Sequence, residues 1–160
     1  MADDASSRDA WWAAARSSAL KRGRLLGVEH RGQLILVGRT RSGAAYALRD
    51  VCPHRAARLS AGKVRVEADG RETVECPYHA WRFHTDGACA AIPTLDADSP
   101  GAVAQVRVKV YPVVEQQGRV WLWIAVDPRL ETAPSESPPL IAGEDRPPLS
   151  LLRRLVRRAP

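Results

Sequence analysis

Short apolar segments separated by turn residues set the rhythm of the chain. LLGVEH (25–30), QLILVGR (33–39) and AAYALR (44–49) follow one another, with Arg31-Gly32 and Arg41-Ser42-Gly43 between them. Segments this brief, bounded by glycine at close spacing, predict antiparallel hairpins and not helices joined to a parallel sheet. KVRVE and TVE then flank Ala68-Asp69-Gly70, whose Asp-Gly pair is the signature of a two-residue hairpin loop. WRFH runs into a further turn at Thr85-Asp86-Gly87. VAQVRVKV alternates with period two over Val106, Val108 and Val110, which predicts a strand with one buried face. RVWLWIAV is apolar without a break, so burial on both faces, or an aromatic edge of the core carried by Trp121 and Trp123, is expected. Ahead of these strands, WWAAARSSALKRG reads as a helical turn or two closed by Gly23. The fold class that follows is all-β, made of small antiparallel sheets.

With 160 residues, 45% of them apolar and 26% charged, the chain suits a single globular domain. The character changes at Asp127, where DPRLETAPSESPPLIAGEDRPP is rich in proline, serine and charge and reads as linker or disordered segment. We therefore expect a disordered N-terminus over 1–10, a domain over 11–128, and a Pro-rich linker with a basic tail over 129–160. Of the net charge of +6, four units sit in the last twelve residues, LSLLRRLVRRAP, and two remain for the rest. A nearly balanced domain gives no reason to expect a nucleic-acid partner. The tail could form a short amphipathic helix after Ser150, with Leu152, Leu155 and Val156 opposite the arginines, though a segment of about ten residues is marginal alone in water. The start, MADDASSRDA, lacks the basic then apolar layout of a secretory signal, so a cytoplasmic location without a membrane partner is expected. Thiols there stay reduced. Cys52, Cys76 and Cys89 are odd in number, which leaves metal binding or core packing as their uses.

Two of those cysteines are paired with histidines. CPH at 52–54 and CPYH at 76–79, separated by twenty-one residues, each supply one thiol and one imidazole from a loop that caps strands. Residues i and i+2 of an extended chain lie about 6.5 Å apart, from a rise of roughly 3.3 Å per residue, and reach two neighbouring metals more naturally than they chelate one. Thiolates suit iron bonded to sulfide and imidazole also suits iron, so a dinuclear centre fits the ligand chemistry. A structural zinc site of two cysteines and two histidines, holding an interaction module together, is the alternative.

The stretches CPHRAARLS, CPYHAWRF and DGACAAIPTL, within a similarity running over about 11–128, resemble the Rieske [2Fe-2S] domain of Rieske-type mononuclear iron oxygenases, in particular the pheophorbide, chlorophyllide and vanillate oxygenase branch. The resemblance implies the Rieske fold, small antiparallel sheets with two cluster-binding loops at one tip. It implies that Cys52 and Cys76 ligate the buried iron of a [2Fe-2S] cluster and His54 and His79 the outer one. It also implies an electron-transfer component of an oxidoreductase, passing single electrons from a reductase or ferredoxin to a mononuclear iron site in an oxygenase domain or subunit. A free-standing Rieske ferredoxin carrier is the second functional reading.

The family usually has glycine where this chain has Ala80, and commonly where it has Ala56, so left-handed backbone at either would strain the loop. Respiratory-type relatives add a cysteine to each cluster loop and a serine hydroxyl aimed at a bridging sulfide. Neither is present here, which predicts a low reduction potential. Such oxygenases bind their catalytic iron with two histidines and a carboxylate in a further domain, and we expect this chain to lack that site, because His30 and His84 are its only other histidines. Both are expected as strand residues. Cys89 is expected in the core, Trp81 as support beneath a cluster loop, and Arg55 and Arg58 either solvated or in contact with an acidic redox partner.

Overall fold

A computed structural model describes residues 8–95 and 100–141 of the chain. Three antiparallel sheets make up the fold. The first joins β1 (Ala10–Arg16), β11 (Arg119–Ile124) and β10 (Val113–Gln116) in that order. The second runs β2 (Leu25–His30), β3 (Gln33–Arg39), β4 (Ala45–Arg49) and β9 (Val110–Tyr111). The third runs β5 (Lys63–Val66), β6 (Glu72–Glu75), β7 (Arg82–His84) and β8 (Cys89–Ala91). One short helix, α1 (Pro100–Ala104), is present among the described residues.

The hairpins fall where the turn residues place them. Arg31-Gly32 and Gln117-Gly118 both have positive φ at each residue, the combination that matches the twist of two paired strands. The Asp69-Gly70 turn differs slightly from expectation. Glu67 and not Ala68 pairs with Arg71, through a backbone bond of 2.8 Å from Glu67 to Arg71, so the loop has three residues with Gly70 in the left-handed position at φ 81°.

Three other expectations change. WWAAAR is not helical: it forms β1, paired antiparallel with β11 from Ala10↔Ile124 to Arg16↔Arg119 around a bulge near Ala14. Only Ser17–Ala19 turns, as a single 3-10 turn. Val106, Val108 and Val110 do face inward, but between 105 and 109 the chain forms only an isolated bridge, Arg107 to Ala88. Finally, the described part of the Pro-rich segment lies against the first sheet. Trp11 Nε1 donates to the Glu136 carbonyl (2.6 Å), Trp123 Nε1 to Thr132 Oγ1 (2.9 Å), and Gln117 exchanges bonds of 2.8 and 3.3 Å with Ile141. Residues 1–7 and the tail helix expected near the C-terminus lie outside the described residues.

The core divides in two, and β3 is the partition. Because successive side chains of a strand point to opposite faces, Ile35 and Val37 join Ala47, Tyr111, Val120, Leu122 and Ile124 on one side. Leu36 points the other way, into a cluster with Leu48, Leu59, Val74, Phe83, Cys52 and Cys76. That second core is the base on which the candidate site stands. As its unbroken apolar run predicts, β11 is buried from Val120 through Ile124, being the middle strand of its sheet.

Candidate metal centre

Two loops project from the second core, one between β4 and β5 and one between β6 and β7. They are built alike. In the first, Cys52 N donates to Ala57 O (2.9 Å) and Ala56 N to Cys52 O (2.9 Å); in the second, Cys76 N donates to Trp81 O (2.8 Å) and Ala80 N to Cys76 O (3.1 Å). Each cysteine thus opens a tight turn whose fourth following residue must adopt left-handed backbone. Ala56 and Ala80 both do so, at φ 57°, where an L side chain is disfavoured by roughly 1–2 kcal/mol. The departure from glycine flagged in the sequence therefore falls on strained positions in both loops.

The bases of the loops are tied differently. The second continues the β6–β7 ladder beyond the Glu75↔Arg82 pair. The first is closed by Asp50, fully buried, which accepts from Ser60 N (2.6 Å), Ser60 Oγ (2.6 Å) and Arg58 Nε (2.8 Å). This clamp spans the loop from two residues before Cys52 to three after Ala57. Arg58 is accordingly a structural partner of Asp50, not a free surface charge. Spacing gave no sign of it: an acid before the first cysteine and an Arg-x-Ser after the loop become a constellation only once the loop closes. Gly62 then lets the two loops approach, since a Cβ there would sit 2.0 Å from the carbonyl oxygen of Glu75.

The four sequence-predicted residues come together at this tip and sort by type. Cys52 and Cys76 are 2% and 3% exposed, on the core side. His54 is exposed and His79 half-buried, with ring centroids 4.5 Å apart at 65°. Trp81 packs against the core and lies flat on His54, centroids 4.7 Å apart and planes 1° from parallel. It is the support expected beneath the loop. Tyr78, 61% exposed, covers His79 from outside at 4.2 Å.

Electrostatics fit the same division. Burial pushes the Cys52 thiol up to about 11, with Cys76 adding to the rise, while the backbone N–H groups of His54 and Arg55 pull it down. Those two amides favour the thiolate over the thiol, the form a metal requires when it displaces the proton. Local desolvation, then the charges of His79 and Arg55, hold His54 below the ordinary imidazole value, which keeps a ring lone pair free. The Nδ1 of His79 is buried and has no hydrogen-bond partner. His84 Nδ1 is equally unpartnered in β7, so it is the place of His79 at the tip, against His54, that makes its free nitrogen fit a metal ligand. Among the described residues, no group of three His, Cys, Asp or Glu side chains is gathered to hold one ion. A pair of thiols and a pair of imidazoles suit two linked metals better than a single tetrahedral one.

Of the remaining candidates, Cys89 is buried in β8 with its Sγ 3.7 Å from the Ala91 carbonyl, a core residue. His30 stacks on Trp12 at 4.4 Å, and His84 lies in β7 opposite Thr73. Neither belongs to the two loops.

A tip of two such loops on three small antiparallel sheets defines an iron–sulfur domain of the Rieske class. The Rieske [2Fe-2S] domain family matches residues 10–112, and the chain belongs to that family; its cofactor is a Rieske-type [2Fe-2S] cluster. It is 33% identical over 129 residues to chlorophyllide a oxygenase, chloroplastic, of Oryza sativa subsp. japonica, which covers 81% of this chain and 22% of the relative. A crystal structure of dicamba monooxygenase with non-heme iron and dicamba superposes with a TM-score of 0.69 at 32% identity, covering 88% of this chain and 39% of that one. The putative NADH-dependent nitrite reductase small subunit from Mycobacterium tuberculosis superposes at 0.60 with 28% identity, covering 73% of this chain and 96% of that one. The chain thus spans about a fifth of the length of the curated oxygenase it matches, and nearly all of a small subunit. Among the described residues no helix is long and apolar enough to cross a membrane.

Proposed function

We propose that this chain carries single electrons, with Cys52 and Cys76 holding the buried iron of its cluster and His54 and His79 the outer one. The observation that carries the reading is the sorting of ligands by depth: two thiols 2–3% exposed on the core side and two imidazoles 4.5 Å apart toward solvent. When bound, the cluster supplies one-electron redox chemistry without bond making. The protein's part is to shape its surroundings. Leu59 and Phe83 keep water from the cysteine side, the amides of His54 and Arg55 favour the Cys52 thiolate, and Trp81 fixes the plane of the His54 ring.

The electron comes from a reductase or ferredoxin and goes to a mononuclear iron site in an oxygenase domain or subunit. Identity to chlorophyllide a oxygenase and likeness to dicamba monooxygenase support that assignment. A free-standing carrier is the second reading, favoured by the match to nearly the whole nitrite reductase small subunit. A zinc-held interaction module fits the paired ligands poorly.

Anaerobically purified chain is expected to be brown, with two irons and two acid-labile sulfides. Cys52→Ser or His79→Ala is expected to abolish the visible absorption. Stoichiometric zinc in a colourless protein would sink the reading. With no serine between Cys76 and Trp81 and no disulfide in the loops, all three cysteines being free, the midpoint is expected toward the low end of the Rieske range of about −150 to +300 mV. Redox titration giving a value well above zero would contradict that.

A further inference from the structure

Beside the first cluster loop lies a cleft of about 430 Å³, lined by Cys52 and His54 together with Arg49, Arg55, Arg107 and Lys109. No carboxylate lines it. Arg49 and Arg55 are exposed and, among the described residues, make no ion pair. Arg107 reaches Glu131 only at 3.7 Å, both side chains well exposed. Lys109 is held in place by the Pro128 carbonyl at 3.0 Å and lies 4.7 Å over the Tyr111 ring. Its pKa is lowered, by burial first, with Glu131 opposing and Arg49 adding to the fall. Around the second cluster loop the cations are paired, Lys63 and Arg65 with Glu75 and Arg71 with Asp86. Arg49 and Arg55 are thus, among the described residues, unpaired cations placed where an imidazole of the centre meets solvent.

We propose that this cleft is the docking surface for an acidic redox protein that donates the electron. The inference rests on the ligand reading above and adds the partner's chemistry and its place of contact. A carboxylate-rich face would settle against Arg49 and Arg55, bringing the donor's cofactor next to the loop that carries His54. One electron then leaves the donor's reduced centre and enters this chain's cluster; no bond forms or breaks. Charge complementarity of this kind raises association rates by about 10- to 1000-fold at low salt. Of the two arginines left open in the sequence, Arg55 belongs to this surface and Arg58 does not.

The test is stopped-flow reduction of the cluster-loaded full chain by a reduced plant-type [2Fe-2S] ferredoxin, an acidic donor of lower potential. Arg49→Glu with Arg107→Glu is expected to slow the second-order rate about tenfold or more near 0.01 M salt, where the screening length is ~30 Å, and to match wild type near ~1 M, where it is ~3 Å. Lys21→Glu with Arg24→Glu changes the net charge equally, on residues that do not line the cleft, and is expected to leave the rate within about twofold. Near ~1 M salt, where its own charge is screened, reduced methyl viologen is expected to reduce all three proteins at similar rates. An unchanged rate in the first variant, an equal loss in the second, or a salt-independent wild type would each overturn the proposal. Chain that binds no cluster defeats the ligand reading and this inference with it. A loaded, viologen-reducible chain indifferent to the cleft charges defeats the inference alone.

Discussion

At the residue scale, the two cluster loops carry an avoidable cost. Ala56 and Ala80 sit at φ 57°, a conformation that disfavours an L residue by roughly 1–2 kcal/mol, while glycine gives back about 0.5–1 kcal/mol through its freer unfolded chain. The difference favours glycine. Ala80→Gly, and separately Ala56→Gly, is expected to stabilise the protein by roughly 0.5–1 kcal/mol, seen in thermal unfolding as a rise of about 2–3 °C. A fall in midpoint for either would show that the loop draws something from the methyl group that the backbone angle conceals. These positions were legible only through the family resemblance, which has glycine where this chain has alanine; nothing in the local sequence marks a left-handed residue there. Cys52, His54, Cys76 and His79 were legible directly, because their spacing is itself the signal. Asp50 was not legible: a lone acid acquires meaning only when Arg58 and Ser60 return to it.

At the element scale, β3 serves two cores with one sequence. Ile35 and Leu36 are neighbours, both fully buried, yet they enter different clusters, and only that of Leu36 contains Cys52 and Cys76. Truncating either to alanine is expected to cost about 2–5 kcal/mol, the usual range for a cavity in a packed core. Their effects on the metal centre should part. Leu36→Ala loosens the packing under both cysteines, so bleaching of the cluster by an iron chelator below the unfolding transition is expected to speed up several-fold more than in Ile35→Ala. Equal bleaching at equal loss of stability would mean that the two cores act as one. The hairpins β2–β3–β4 and β5–β6 were legible because their partners are adjacent and their turns carry glycine. β1 was not. Its alanines favour helix locally, whereas its strand character comes from pairing with β11 more than a hundred residues later, and tertiary pairing overrides propensity. Similarly, the alternation of Val106, Val108 and Val110 reported which side chains face inward, but not whether a neighbouring strand would pair along the whole segment.

At the scale of the whole molecule, the Pro-rich segment over 129–141 raises the question of what a chain with no regular structure gains by lying on a sheet. Its bonds to Trp11, Trp123, Gln116, Gln117 and Val110 contribute about 0.5–1.5 kcal/mol each. Ordering its backbone costs about 1–2 kcal/mol per residue. The bonds do not exceed that cost even with Pro138 buried, so the segment adds little to global stability and its effect is local. Composition could show its looseness but not its contacts, because three of the acceptors it offers, those of Glu136, Pro138 and Ile141, are backbone carbonyls, which every residue carries. A chain ending at Pro128 is therefore expected to unfold within a few degrees of the full chain and to keep its cluster, since Cys52 and Cys76 belong to the other core. What changes is exchange at the indoles. Trp11 and Trp123 lose Glu136 and Thr132 as acceptors, and their Nε1–H signals are expected to exchange with solvent about tenfold faster or more, while backbone amides of β3 and β4 keep their protection. Indole protection that survives the truncation would mean that these bonds are not made in solution. Faster exchange across β3 as well would mean that the segment is part of the fold's cooperative unit and not a strap laid over a finished one.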